Sequence, residues 1–281
     1  MADPNELRRN ADAITWFHSI DLGAGVVTRG SSTTQMPDEL FPAVEGRSVL
    51  DIGAWDGYYS FMVERRGARD VVALDHYVWG VDFGARDAYW NECFAKGSLP
   101  DQARDLTDFW RPELPGRRGF EFAAVALDSN VQPRLADFAT TDLNALGAFD
   151  VVLYLGVLYH MKEPLTCLER VRSVTNEVAV IETQALHVQG LEHERVLQFY
   201  AGGEVNNDFG NWYVPTETAL HSLCRAAGFS SVKTILGPPA TPVAGNASAR
   251  TRLLRRLGLR DASVDTSAPT TFYRLMVHAY A

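Results

Sequence analysis

RSVLDIGAWDGYYSFMVERRGARDVVALD, residues 47–75, is the stretch on which the fold turns. Arg47 to Ile52 is a short apolar run rich in β-branched residues that stops at Gly53, the pattern of a buried strand. Tyr58 to Arg66 predicts a short helix, closed by Gly67 where a left-handed C-cap is preferred. Val71 to Asp75 is a second apolar strand. Strand, glycine turn, helix and strand in so few residues make a βαβ unit. Such a unit gives two parallel strands joined by a right-handed crossover.

The alternation continues downstream. Phe120, Ala123, Ala124 and Leu127 have helical spacing, and Arg134 to Phe138 and Val151 to Leu155 read as strands. Pro164 starts a helix that carries Leu165, Leu168 and Val171, and Glu177 to Thr183 is the next strand. Thr218 to Ala227 is a helix stopped by Gly228, and Ser231 to Leu236 with Phe272 to Tyr280 form a closing strand pair. The expected fold is α/β: a doubly wound Rossmann-like sheet, mostly parallel, with an antiparallel C-terminal strand. Residues 1–46 read as a lead-in or cap. Residues 47–281 read as the main domain, with an irregular aromatic insertion at 76–116 and a surface insertion holding a short helix at 237–270.

Composition narrows the function. Of 281 residues 46% are hydrophobic, which excludes a disordered or fibrous chain. The net charge is −9, the opposite sign to that expected of a protein gripping a phosphate backbone. The arginines at 252, 255, 256 and 260 read as a solvated helix face. Three scattered cysteines (Cys93, Cys167, Cys224) make neither a disulfide framework nor a zinc pattern, and no metal site is expected. No secretory leader or membrane-length apolar run is visible, so a cytoplasmic protein is expected.

In a doubly wound sheet the ligand sits beyond the carboxyl ends of the strands. Gly53 and Gly57 allow a tight turn and a close ligand. Asp75 ends the second strand, where a carboxylate can bind a ribose diol. The loop lacks the Gly-x-Gly-x-x-Gly fingerprint, and Asp51 would repel a pyrophosphate, so an adenosyl cofactor is favoured over a pyridine dinucleotide. A purely structural turn is the plain alternative.

Asp51-x-Gly53-x-x-x-Gly57 with Asp75 resembles the first two motifs of class I S-adenosylmethionine-dependent methyltransferases. Phe149-Asp150-Val151-Val152 and Gly156-Val157-Leu158-Tyr159-His160-x-x-x-Pro164 are similar to the family that completes the 5-oxyacetyl modification of wobble uridine in tRNA. The Trp16-Phe17-His18 lead-in, with its aromatic insertion, looks like the tailoring methyltransferases of bacterial secondary metabolism. The usual central glycine of the first motif is Trp55 here, so the loop must accommodate a bulky ring. The wobble-uridine enzymes use a carboxylated cofactor, which calls for basic groups. The lead-in offers only Arg29 after Trp16, which favours ordinary S-adenosylmethionine.

The resemblance implies a cofactor set of Asp51, Gly53, Gly57, Asp75, His76 and Leu155, with Asp137, Phe138 and Thr141 near the adenine. Tyr159 and His160 would frame the acceptor, with His160 the leading base and His187 and His18 its rivals. A lone histidine is more often a satisfied structural residue, and that is the plain alternative for each. Trp16, His18, Arg29, Trp79, Trp212 and Tyr213 are the expected substrate contacts. The eight rings between Tyr77 and Trp110 serve either as core or as a lid over a flat substrate. Three functions stay open: methylation of oxygen or nitrogen on a small molecule, which is favoured; tRNA base modification; and a non-catalytic scaffold. Sequence leaves the oligomeric state open.

Overall fold

Ser48–Ile52 (β1) is buried along its whole length, and alternate side chains serve opposite faces. Val49 joins one hydrophobic cluster, while Leu50 and Ile52 join another. Phe149–Leu155 (β4) repeats the division, sending Val151 and Leu153 to the first face and Val152 and Tyr154 to the second. A strand that is apolar on both faces needs cover on both, and this dictates helices above and below the sheet. Each fully buried side chain of this kind contributes roughly 1.5–3 kcal/mol.

The computed structural model describes residues 3–111, 115–200, 202, 204–205, 210–238 and 270–281. Most of the expected 237–270 insertion, and the arginines within it, lie outside the described residues. Asp70–Asp75 (β2) and Gln132–Leu135 (β3) complete one half of the sheet, Thr175–Val188 (β5), Ser231–Leu236 (β8) and Thr270–Tyr280 (β9) the other. The strand order is β3-β2-β1-β4-β5-β9-β8. β9 runs antiparallel to both β5 and β8, and the other pairings in this sheet are parallel. Leu197–Phe199 (β6) and Tyr213–Pro215 (β7) form a separate antiparallel ribbon that the sequence had not suggested.

Pro4–Asp12 (α1) begins the lead-in, whose Trp16, Ile20, Leu22, Val26, Phe41 and Val44 belong to the same cluster as Val49. Tyr58–Arg65 (α2) and Arg118–Ala126 (α5) cover that face. Pro164–Ser173 (α6) and Glu217–Ala226 (α7) cover the other. Gly67 ends the α2 turn at φ +84°, as its C-cap position predicted. β3 ends at Leu135, earlier than the expected Phe138, because Asp137 turns the chain by accepting from the Ala139 N–H at 2.8 Å.

The 76–116 insertion is not irregular. It holds Tyr77–Gly80 (α3) and Phe83–Ala95 (α4), which is started by the Asp82 side chain accepting from the Ala85 N–H at 3.0 Å. Its rings pack on the protein's own cation. The Arg86 guanidinium carbon lies 5.0, 4.8 and 4.6 Å from the Tyr77, Phe83 and Trp90 ring centroids. That desolvated cation–π arrangement accounts for much of the aromatic density without a flat substrate.

Candidate active site

A cavity of about 350 Å³, a size that suits a small ligand, opens at the carboxyl ends of β1, β2, β3 and β4. β1 and the loop after it deliver Asp51 and Gly53, the end of β2 Asp75 and His76, the turn after β3 Asp137 and Phe138, and the end of β4 with the helical turn after it Leu155, Tyr159 and His160. The lead-in closes the top with Phe17 and His18, and Tyr77 and Asp105 come from the aromatic insertion.

The loop after β1 is shaped by its backbone. Gly53 has φ +79°, and a Cβ there would meet Val157 Cγ2 at 2.6 Å. Trp55 holds φ +51°, which costs a residue with a side chain roughly 1–2 kcal/mol. Its ring stacks on Phe17 at 4.0 Å between centroids and 11° between planes. Its carbonyl accepts from the Trp79 indole N–H at 2.7 Å. The bulky ring at the usual glycine position is thus accommodated by keeping the glycine-like backbone and turning the ring onto the lead-in.

Two acidic side chains face this loop. Asp75 is buried and accepts the N–H groups of Trp55 at 2.9 Å and Val78 at 3.1 Å, one on each oxygen. Burial pushes its carboxyl up to about 6, against those donors. Asp51, also buried, accepts from the Ser60 hydroxyl at 2.6 Å, and burial raises it to about 6 as well. His76 is shifted down by burial, partly opposed by Asp137, whose Oδ1 lies 3.8 Å from His76 Nδ1.

The opposite wall carries a buried ion pair. Arg274 on β9 donates to both carboxylate oxygens of Glu182 on β5, and its guanidinium also donates to the Tyr159 hydroxyl at 3.3 Å. Burial raises the Glu182 carboxyl, and Arg274 opposes that shift. His160 has Nδ1 3.0 Å from the Gly210 carbonyl, and the Trp212 N–H donates to the Tyr159 carbonyl at 2.8 Å. At the lead-in side, His18 Nδ1 lies 2.5 Å from Asp56 Oδ1.

The structure brings together on the cavity wall Asp51, Gly53, Asp75, His76, Asp137, Phe138, Leu155, Tyr159, His160 and His18. Other expected site residues lie off the wall. Trp16 is in the core, its indole donating to the Ala11 carbonyl at 2.9 Å. The Arg29 side chain is 84% exposed and sits 3.8 Å from Asp12. Gly57 is the N-cap of α2, where a Cβ would strike Phe61 and Phe120, so it shapes the loop from behind. Trp79 buttresses the loop from the core, and the Thr141 N–H closes the turn onto the Asp137 carbonyl at 2.9 Å. His187 lies further along β5, its Nε2 enclosed without a hydrogen-bond partner among the described residues. Trp212 is buried behind Tyr159, and Tyr213 packs on Phe199 in the ribbon.

The sequence reading missed several wall residues: Trp55 and Phe17 as contacts, Tyr59, Asp105, Lys162, Glu182 and Arg274. Two left a signal. A glutamate in VIETQ and an arginine in FYRLMV are charges inside apolar strands, and such charges are retained only when paired. Arg274 and Lys162 also show that the cavity has basic groups beyond the lead-in, although Arg274 is neutralised by Glu182.

The wall fits an adenosyl cofactor. The cradle at Gly53 has no room for a Cβ, and each Asp75 oxygen, having taken one N–H, retains a lone pair for a ribose diol. Asp137 and Phe138 border the same end, and Asp51 stands beside Asp75.

A family model described as a methyltransferase domain matches residues 33–234. The tRNA U34 carboxymethyltransferases of Pseudomonas putida (strain W619) and Pseudomonas syringae pv. syringae (strain B728a) are 25% and 27% identical over 193 and 194 residues, 68% of this chain. That stretch is 48% of each of them, so the chain spans about half the length of the curated relatives it matches. The crystal structure of the N-terminal domain of EvdMO1 in the presence of SAH and D-fucose aligns with a TM-score of 0.59 at 19% identity, over 100% of this chain and 98% of that one. Full-length EvdMO1 aligns with a TM-score of 0.52 at 18% identity, over 99% of this chain and 48% of that one. At these identities the two structures speak to the fold alone. Family match, strand order and glycine cradle agree: the chain belongs to the methyltransferase domain family, in its class I form, whose cofactor is S-adenosylmethionine.

Proposed function

We propose that this chain transfers the methyl group of S-adenosylmethionine to an oxygen or nitrogen of a small molecule, in a tailoring step of secondary metabolism. The observation that carries the reading is the charge of the cavity. Six carboxylates line it (Asp51, Asp75, Asp105, Asp137, Glu163, Glu182) against the two cations Lys162 and Arg274. With a net charge of −9 on the whole chain, such a site suits a neutral or cationic acceptor and repels a polyanion.

When bound, the cofactor supplies a methyl carbon on a sulfonium, whose leaving group needs no acid. The chain's own residues do the rest. Asp75 would hold the ribose diol, Asp137 and Phe138 would border the adenine, and Asp51 would stand toward the amino group. Tyr159, fixed by Arg274, and His160, beside the Gly210 carbonyl, would frame the acceptor. Alignment of this kind can lower a barrier by roughly 7–11 kcal/mol. Three buried free thiols suit a reducing cytoplasm, and among the described residues no helix is long and apolar enough to cross a membrane.

The test is transfer of labelled methyl from S-adenosylmethionine to small hydroxyl and amine acceptors, D-fucose among them, run beside filter binding of bulk tRNA at low and moderate salt. Small-molecule transfer without a saturable RNA complex is expected. The tRNA U34 relatives motivate the rival reading. A sub-micromolar tRNA complex that weakens steeply with salt, without small-molecule transfer, would install it instead. Tight cofactor binding with transfer to neither would favour a scaffold.

A further inference from the structure

His18 and Asp56 lie 38 residues apart in the chain and meet as a buried pair, with His18 on the cavity wall. Asp56 is fixed independently of the ring. Its Oδ2 accepts the N–H of Phe17 at 3.0 Å and that of His18 at 2.7 Å, leaving Oδ1 for His18 Nδ1 at 2.5 Å. The imidazole is fixed as well. Tyr58 lies along its face at 5.3 Å and 23°, and Tyr59 and Phe17 stand edge-on at 5.3 Å and 4.8 Å. Nε2 has no hydrogen-bond partner among the described residues, and it is not one of the sealed orphan atoms of the core.

A carboxylate on Nδ1 selects the tautomer that carries its proton there, so the lone pair sits on Nε2. The ring is thus oriented, of one tautomer, and unsealed at Nε2 on a residue that lines the cavity. A base needs those three properties before its pKa matters. His187 lacks the third, because its Nε2 is closed off from the cavity, and His160 sets its Nδ1 against the neutral Gly210 carbonyl, which balances an imidazolium less well than the Asp56 carboxylate does.

We propose that His18, oriented by Asp56, is the general base for a hydroxyl acceptor. The assignment rests on the small-molecule reading above and narrows it to methylation at oxygen. As the oxygen–methyl bond forms, the carbon–sulfur bond breaks and sulfur keeps its electron pair. The hydroxyl proton passes to Nε2, the resulting imidazolium is held by Asp56, and the proton then leaves to water. Charge is conserved, since the sulfonium's positive charge ends on the imidazolium. The ionisable groups facing the ring are Asp56 from the glycine loop, Asp51 from β1, and Tyr58 and Tyr59 from α2.

The first test needs no substrate. Nitrogen-15 NMR of the full chain with S-adenosylhomocysteine, at alkaline pH where imidazoles are neutral, should show His18 protonated at Nδ1 and bare at Nε2. Asp56→Asn should abolish that preference, and a wild-type ring protonated at Nε2 would overturn the proposal.

The second test is kinetic and compares phenol with 4-nitrophenol as methyl acceptors. Phenol keeps its proton at neutral pH, whereas 4-nitrophenol ionises unaided. His18→Gln should lower kcat on phenol by roughly 10²–10⁴, the usual range for a general base, and less than about tenfold on 4-nitrophenol. Equal losses on both acceptors would reduce His18 to positioning and refute the base. Failure of the small-molecule reading would look different: RNA binding with no transfer to either phenol, whatever the His18 tautomer.

Discussion

Replacing Asp75 by alanine should separate binding from folding. In the proposed function this carboxylate, at the end of β2 on the cavity wall, holds the ribose diol, and a charge-assisted hydrogen bond of this kind contributes about 1.5–3 kcal/mol. Its loss should weaken S-adenosylhomocysteine by roughly 10- to 150-fold. Stability should respond otherwise. Burial has moved the carboxyl from 3.8 to about 6 even with the Trp55 and Val78 N–H groups opposing the shift, so keeping it ionised at pH 7 costs the fold on the order of 3 kcal/mol. The variant relieves that cost but leaves two buried donors without an acceptor, at about 1–3 kcal/mol each. The two effects offset each other. Calorimetric titration should therefore show a large loss of affinity, while thermal denaturation of the ligand-free variant should stay close to wild type. Wild-type affinity in a folded variant would refute the assignment of Asp75 to the cofactor. A collapse of the fold would refute the stability argument.

Three further outcomes are expected. Asp51 and Asp75 both have folded pKa values of about 6, above those of the unfolded chain, so their contribution to stability is full below pH 4 and is lost as pH rises through 6. Bound ribose hydroxyls and an ammonium favour the ionised forms, so calorimetry at pH 5.5 should record proton release on binding, and affinity should rise with pH and flatten above 7. Gly53→Ala combines a φ of +79° with a Cβ 2.6 Å from Val157 Cγ2; S-adenosylhomocysteine affinity should fall at least tenfold, with Val157→Ala restoring part of it. Arg274→Met leaves Glu182 buried without its cation and should cost about 3–5 kcal/mol in denaturant titration, much of which Glu182→Gln should return.

What could be read from sequence was local. The first βαβ unit has its signals within one turn of where they act: apolar runs, Gly53, Gly67, and Asp75 at a strand end. Hence the parallel sheet was legible, and so were Asp51, Gly53, Asp75, Tyr159 and His160, which all line the cavity. The rest of the wall was not, because it is made by distant pairs. Glu182 and Arg274 are 92 residues apart, and they meet only through the antiparallel register of β5 with β9. The His18–Asp56 pair spans 38 residues and needs the lead-in folded over the glycine loop. The aromatic insertion was misread as irregular because the buried row of α4 sets a charge beside Trp90 and Cys93, which breaks the apolar period that its rings would otherwise mark. Their partner, Arg86, reads in sequence as an ordinary surface charge.

The place of β9 in the sheet has a consequence for biosynthesis. It is the last strand of the sheet to leave the ribosome, yet it lies between β5 and β8, both made earlier. Until it arrives, β5 presents an open apolar edge, β8 has no strand to join, and Glu182 waits in the interior without Arg274. A nascent chain stalled before Thr270 would therefore expose a sticky sheet edge and an uncompensated charge together, the state that chaperones hold and proteases clear. The Glu182–Arg274 wall of the cavity therefore comes into being only once β9 has joined the sheet.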